Sequence, residues 1–210
     1  DGVWCERCFA PWADREEYLR QTGRPLTTLE SQTPLSAMDL IGFSLTYELN
    51  VTNVLNMLSL GGVKVRSDER RDKDPIVIGG GPLMLNPKPY SPFFDIIVVG
   101  EGDEAIVSIL TVSRDMAGER RDRVIAELSK IDGVYSARTK TVKRLFVRDL
   151  DRAFHPVRPP IPAVDSVHNR LNVEISRGCG NGCRFCLAGF GYRPYRERSF
   201  EAVRAVIDEG

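Results

Sequence analysis

The chain has 210 residues, of which 42% are hydrophobic and 28% are charged, and this composition excludes an intrinsically disordered protein. Its 29 basic and 29 acidic residues cancel, so no overall charge directs it to nucleic acid or to an anionic membrane. No apolar run is long enough to span a bilayer, and five cysteines in tight clusters favour metal or redox chemistry over a disulfide framework. We therefore predict a cytoplasmic protein without a membrane partner.

The first 130 residues alternate short β-rich runs with longer amphipathic stretches, which is typical of a parallel sheet covered by helices. Hydrophobic periodicity predicts where these elements lie. The predicted strands cover residues 26–29, 39–45, 75–81 and 95–102, and the predicted helices cover residues 14–21, 51–60 and 103–115. This order predicts an α/β fold with a Rossmann-like parallel sheet.

A change of composition marks the end of this first domain. Residues 134–147 lack a helical period and predict a hairpin or an irregular β element, and four prolines within 155–162 favour an extended connector. We therefore predict a Rossmann-like domain at 1–150, a proline-rich linker at 151–170 and a second domain from 171.

The second domain begins with a strictly alternating segment, 171–176, which predicts a strand. Ser199 is a suitable N-cap for a predicted helix at 200–208. A single β-α unit cannot bury both of its faces. We therefore expect 171–210 to be the first β-α unit of a larger domain, and the chain to be a fragment that is shortened at both ends.

Three cysteines, Cys179, Cys183 and Cys186, follow the predicted strand in a C-x3-C-x2-C spacing. They offer three thiolates to one centre and leave a fourth position open, which suits an iron-sulfur cluster that also binds a small molecule. Zinc is an alternative, with His168 as fourth ligand or with the Cys5-x2-Cys8 pair joined to Cys183 and Cys186. A thiol-redox site is a further alternative.

The segment from Arg177 to Cys186 resembles the radical S-adenosylmethionine (SAM) superfamily. The resemblance implies that Cys179, Cys183 and Cys186 hold a 4Fe-4S cluster whose fourth iron chelates SAM. It implies reductive cleavage of SAM to a 5'-deoxyadenosyl radical, with Phe185 beside the adenine, and an electron donor such as flavodoxin or ferredoxin. It also implies that the predicted strand opens a radical SAM (β/α) barrel.

In such a barrel, the polar face of the strand 171–176 would point to the interior, where active sites form. We therefore expect Glu174 and Ser176 to lie near the bound nucleoside. The tail 187–199 resembles cobalamin-associated and methylthiotransferase-like branches of the superfamily. Its arginines either meet a carboxylate or phosphate, or pair with Glu197 and Glu201 on a solvated loop.

Two glycine-rich loops follow predicted strands of the first domain and should share the carboxyl edge of its sheet. Neither matches G-x-G-x-x-G, so as isolated motifs they are better read as tight turns. Together with segments 3–12, 42–48 and 53–58 they resemble a bacterial family of radical SAM proteins with a cobalamin-binding-like domain. That resemblance assigns cobalamin to Gly79, Gly80, Gly100 and Gly102. The Asp-x-His-x-x-Gly motif of base-off cobalamin proteins is absent.

Cys5 and Cys8 form a C-x-x-C pair that is either redox-active or inert in the core, and the flanking Trp4, Phe9 and Trp12 favour the inert alternative. The function predicted for the whole chain is that of a radical SAM enzyme, with a cobalamin-dependent methyl transfer as one outcome. Its substrate, a small molecule, RNA or protein, is not predicted, nor is a catalytic residue. The alternative is a zinc-stabilised module that binds nucleic acid or protein. We expect the fragment alone to be inactive.

Overall fold

The computed structural model describes residues 2–139, 141–159, 163, 165, 167 and 170–209. The chain divides into two compact units, Asp1–Leu145 and Phe146–Gly210. Across the described residues, every helix is too short or too polar to cross a lipid bilayer.

The first unit is an α/β layer structure built on one sheet. Its helices are α1 (Ala13–Thr22), α2 (Asn50–Leu60), α3 (Ala105–Asp115) and α4 (Arg121–Leu128), and its strands are β1 (Leu40–Ser44), β2 (Ile76–Gly80), β3 (Ile96–Val98) and β4 (Val134–Tyr135). The strand order is β1-β2-β3-β4, with β1, β2 and β3 parallel and β4 antiparallel to β3. This mostly parallel sheet confirms the predicted Rossmann-like α/β fold.

Both faces of the sheet are buried, as expected for parallel strands. Val77 and Ile97 point to one face and pack in a cluster with residues of α1 and α2. Ile78 and Ile96 point to the opposite face and pack in a second cluster with residues of α3 and α4. The uninterrupted apolar runs of β2 and β3 therefore reflect burial on two sides.

The predicted elements of the first unit are largely confirmed. One predicted strand, 26–29, is wrong, because only an isolated bridge joins Thr27 to Pro34. Helix α4 was not predicted, since half of its residues are charged and its buried apolar side chains are confined to Val124 and Leu128, one turn apart. The irregular alternative for 134–147 is confirmed by the short β4 and by a bridge between Gly100 and Leu145.

A buried ion cluster lies at the amino-terminal end of β2 and β3. Oδ2 of Asp95 is 2.9 Å from Nη1 of Arg70 and 2.5 Å from Nη2 of Arg121, and it accepts the backbone N–H of Val77 at 2.7 Å. The three charged side chains are at most 6% exposed. Arg121 also donates to the carbonyl of Pro75. This cluster joins β2, β3 and α4 at the end of the sheet opposite the glycine-rich loops.

The second unit contains strands β5 (Ser176–Arg177) and β6 (Arg196–Glu197) and helices α5 (Ala188–Gly191) and α6 (Phe200–Glu209). Helix α6 confirms the prediction, and the N–H of Ala202 donates to Oγ of Ser199 at 3.1 Å, as expected of an N-cap. Residues 155–159 of the proline-rich segment form no helix or strand, and 160–162 lie outside the described residues.

The predicted strand at 171–176 is wrong over 171–175. Only Ser176 and Arg177 enter a strand, and β5 pairs antiparallel with β6. Alternation predicts which side chains share a face, but a strand also needs a hydrogen-bonded neighbour. Ile175, on the apolar face of the alternating segment, is 60% exposed. The barrel itself stays a prediction.

Candidate metal centre

Strands β5 and β6 close the base of a loop, 178–195, which carries Cys179, Cys183 and Cys186. All three cysteines are free; Cys183 is exposed, and Cys179 and Cys186 are half-buried. The N–H of Cys186 donates to the carbonyl of Cys183 at 3.1 Å, so a turn joins these two ligand candidates. The structure therefore presents the three thiols on one loop between paired strands.

Gly178 brings the two ends of this loop into backbone contact. Its φ of +91° lies in the left-handed region. A Cβ at this position would lie 2.6 Å from the carbonyl oxygen of Tyr192 and 2.7 Å from that of Pro194. Sequence analysis did not assign this role to Gly178, although its place directly before Cys179 was a signal. A side chain here would force the loop open beside the first cysteine.

Glu174 binds two arginines at the base of the loop. Its Oε1 is 2.7 Å from Nε of Arg177, and its Oε2 is 3.1 Å from Nη2 of Arg198. Partial burial acts to raise the pKa of Glu174, but hydrogen bonds from Arg177 and Arg198 act in the other direction and hold it below its usual value. The carboxylate is therefore ionised at neutral pH.

Arg198 is the buried member of this group. Its side chain is 3% exposed, and its guanidinium also donates to the carbonyls of Leu150 and Ala153. Sequence analysis counted Arg198 only as part of a basic tail. Both Arg177 and Arg198 form ion pairs with Glu174. Arg198 of the basic tail therefore stabilises the second unit through buried contacts.

The remaining predicted site residues of the second unit differ in accessibility. Phe185 is 93% exposed, and Ser176 is half-buried in β5. The guanidinium of Arg193 lies 4.7 Å from the ring centroid of Phe190, a cation-π contact. Arg196 donates to the backbone carbonyls of Val147 and Pro194. Phe185 is therefore the aromatic side chain of the loop with the most surface open to a ligand.

The chemistry of the donors suits an iron-sulfur cluster. Three free thiols within eight residues match its usual protein ligands, and nearby backbone N–H groups can bond to its sulfides. As placed in the described ranges, no three His, Cys, Asp or Glu side chains are grouped closely enough to hold a metal ion. His168, the zinc ligand of one alternative, lies outside the described residues. The fit therefore rests on residue type and loop position.

The four glycines of the glycine-rich loops in the first unit differ in how much space surrounds them. A Cβ on Gly79 would lie 3.0 Å from the ring of Phe94, and one on Gly100 would collide with the backbone of Leu145. Packing therefore requires glycine at Gly100, where the blocking atoms belong to the backbone, and favours it at Gly79, where the ring of Phe94 would have to shift. A Cβ on Gly80 or Gly102 would meet nothing closer than 3.9 Å. Of these four glycines, Gly80 and Gly102 are the ones that leave room for a ligand at the carboxyl edge.

Cys5 and Cys8 of the C-x-x-C pair lie in different surroundings. Cys8 packs against the core, its Sγ lies 3.4 Å from the carbonyl oxygen of Thr27, and burial raises the pKa of its thiol. Cys5 is exposed, as are Trp4 and Trp12. The predicted core packing is therefore confirmed for Cys8 and wrong for Cys5, and the inertness of the two thiols stays a prediction.

We expect Cys8 to react with iodoacetamide about tenfold more slowly than Cys5 at pH 8, because the thiolate is the nucleophile and burial both hides it and raises its pKa. As the pH rises toward 10, the rate for Cys8 should continue to increase, since its thiolate forms at a higher pH than that of an unfolded cysteine. Mass spectrometry of peptides from metal-free protein measures both rates. Equal rates in the folded protein would contradict the prediction, and urea should abolish any difference.

Comparison with known proteins gives two matches. The family model described as "Radical SAM proteins, N-terminal" matches residues 1–136. The chain is also 28% identical over 186 residues to "Uncharacterized protein MJ0966" of Methanocaldococcus jannaschii. That match covers 87% of this chain and 37% of the relative, so the chain spans little more than a third of the relative's length.

Proposed function

Since this chain belongs to the family of radical SAM proteins defined by their N-terminal domain, we propose that it forms part of a radical SAM enzyme with a 4Fe-4S cluster at Cys179, Cys183 and Cys186. The observation that carries the proposal is the set of three free cysteines on one loop between β5 and β6. When bound, such a cluster supplies the electron for reductive cleavage of SAM, which yields a 5'-deoxyadenosyl radical.

The residues around the loop have separate roles in this proposal. Phe185 is open to solvent and supplies a flat apolar face on which an adenine can stack. Ser176 lies in β5 and Glu174 pairs with Arg177 at the base of the loop, and we place both near the nucleoside. No side chain is assigned to hydrogen abstraction. That step acts on the substrate, and the residues of the loop do not identify the substrate.

The same proposal covers the organisation of the whole enzyme. We place a Rossmann-like domain at 1–150, a linker at 151–170 and the first β-α unit of the radical SAM domain at 171–210. The enzyme would act in the cytoplasm, where flavodoxin or ferredoxin is a suitable electron donor. Its substrate would be a small molecule, an RNA or a protein. We expect this chain by itself to be inactive, because one β-α unit encloses no substrate.

A cobalamin-dependent methyl transfer is a more specific form of the proposal. Its support is the carboxyl edge of a parallel sheet, where such folds bind ligands, together with the open positions Gly80 and Gly102. Gly79 and Gly100 give it no support, since internal packing accounts for them. Retention of hydroxocobalamin by the complete protein, and its loss in Gly102→Leu, is the expected result. Equal retention of hydroxocobalamin by the unchanged protein and by Gly102→Leu would show that Gly102 is not part of a cobalamin site.

Anaerobic reconstitution of the complete protein with iron and sulfide tests the main proposal. We expect a brown protein with about four irons and about four sulfides per chain, and formation of 5'-deoxyadenosine when SAM and a reductant are added. A colourless protein that binds one zinc and no iron would overturn the proposal and favour the zinc-stabilised binding module. Iron without any cleavage of SAM would restrict the cluster to electron transfer and would contradict the proposed reaction.

A further inference from the structure

The cysteine loop is closed at its base by interactions from both ends. Ser176 and Arg177 pair with Glu197 and Arg196 across β5 and β6. The N–H of Arg198 also donates to the carbonyl of Ile175 at 2.9 Å. These contacts are made by the backbone, so they do not depend on which side chains are present. A strand pair of this length is weak on its own.

One side-chain contact across the same base is ionic and centres on a single carboxylate. Glu174 meets Arg177, which directly precedes the loop, and Arg198, which directly follows β6. The two arginines are 17% and 3% exposed in their side chains, so little water replaces a lost partner. The guanidinium of Arg198 also donates to the neutral carbonyls of Leu150 and Ala153.

We propose that Glu174 is a positioning residue that holds the cysteine loop closed at its base before any cluster is bound, by pairing with Arg177 and Arg198 at the two ends. Only the purpose of the loop rests on the proposed function; the closure is a property of the metal-free chain. Substitution of Glu174 would take away the carboxylate that forms an ion pair with the buried guanidinium of Arg198 and leave, among the described residues, only the Coulomb interaction with Asp151, which is more costly than losing an exposed ion pair.

Hydrogen-deuterium exchange on the complete, metal-free protein tests this role. In Glu174→Gln we expect the amides of 178–195 to exchange at least about tenfold faster than in the unchanged protein, while the amides of α6 keep their protection. Glu174→Asp retains the charge on a side chain one methylene shorter, so it should restore part of the protection. Glu201→Gln, a change at an exposed carboxylate in the first turn of α6, is the matched control and should leave the loop unchanged.

Three results would overturn the inference. The first is exchange in Glu174→Gln within about twofold of the unchanged protein. The second is equal loss of protection in α6, which would make Glu174 a support of the whole unit. The third is equally fast amide exchange in Glu174→Asp and Glu174→Gln, which would show that the charge of Glu174 does not protect the loop.

The iron content after reconstitution separates this inference from the proposed function. We expect it to fall in Glu174→Gln and to recover in part in Glu174→Asp. If the unchanged protein takes up no iron, the proposed function fails, and the exchange data still decide the role of Glu174. If the unchanged protein takes up iron and the exchange rates do not differ, only the positioning role fails.

Discussion

Cys183→Ala in the complete protein is expected to lose nearly all of the roughly four irons per chain that reconstitution introduces, because two thiolates rarely retain a cube that three hold. Cys183 is the middle cysteine of the loop and is the most exposed of the three, so its substitution is not expected to disturb packing. Cys179→Ala and Cys186→Ala should give the same loss. Iron and sulfide analysis, together with the visible absorption that gives the brown colour, measures the result.

The first unit supplies a matched control for this experiment. Cys5→Ala removes an exposed thiol and Cys8→Ala removes a half-buried one, and neither lies in the loop. Both variants should therefore retain the full iron content. Retention of iron by Cys183→Ala would contradict the assignment of the cluster to this loop. Loss of iron in Cys5→Ala would favour a site that combines both cysteine clusters.

Asp95→Asn is expected to reduce the free energy of unfolding of the first unit by about 3–5 kcal/mol, the cost of leaving a buried charge without its partner. Asparagine keeps the volume and can still accept the hydrogen bond from the N–H of Val77. It removes the negative charge between Arg70 and Arg121, whose side chains are at most 6% exposed. Burial already lowers the pKa of Arg70, and the charge of Asp95 acts to raise it.

Urea unfolding monitored by circular dichroism measures this change, with Asp68→Asn as the matched control. Asp68 pairs with Arg66 on the surface, where both side chains are more than half exposed. Surface pairs of this kind contribute about 0–1 kcal/mol, so Asp68→Asn should shift the midpoint very little. A loss of less than about 1 kcal/mol in Asp95→Asn would show that the buried cluster is not a main support of the sheet.

The two strongest sequence predictions rest on local patterns. The apolar runs that became β2 and β3 are buried on both faces of the sheet, so their composition alone indicates a parallel strand. The hydroxyl of Ser199 caps α6 because its acceptor group and the free N–H groups of the helix are only three residues apart. The spacing of the three cysteines is local in the same sense.

The two main errors concern predicted strands that do not join a ladder. Residues 26–29 and 171–175 have the composition or the alternation of a strand, but neither forms a ladder with one neighbouring strand in the described structure. The backbone of 26–29 bonds to four separate residues, Arg7, Thr33, Leu35 and Leu60, and Ile175 accepts one bond from Arg198. Alternation reports which side chains can share a face, while a ladder requires a second segment at about 4.8 Å. That condition is a property of the tertiary structure.

By itself, the sequence determined the fold class, the cap of α6 and the three thiols of the loop, because each depends on residues that are close together in the chain. Only the tertiary structure decided that Asp95 joins two arginines and that Glu174 joins Arg177 to Arg198. It also decided that Gly178 is required by the backbone of Tyr192 and Pro194. The partners in these contacts are mostly 14 to 26 positions apart, and no local periodicity records a charge pairing or a close approach over such separations.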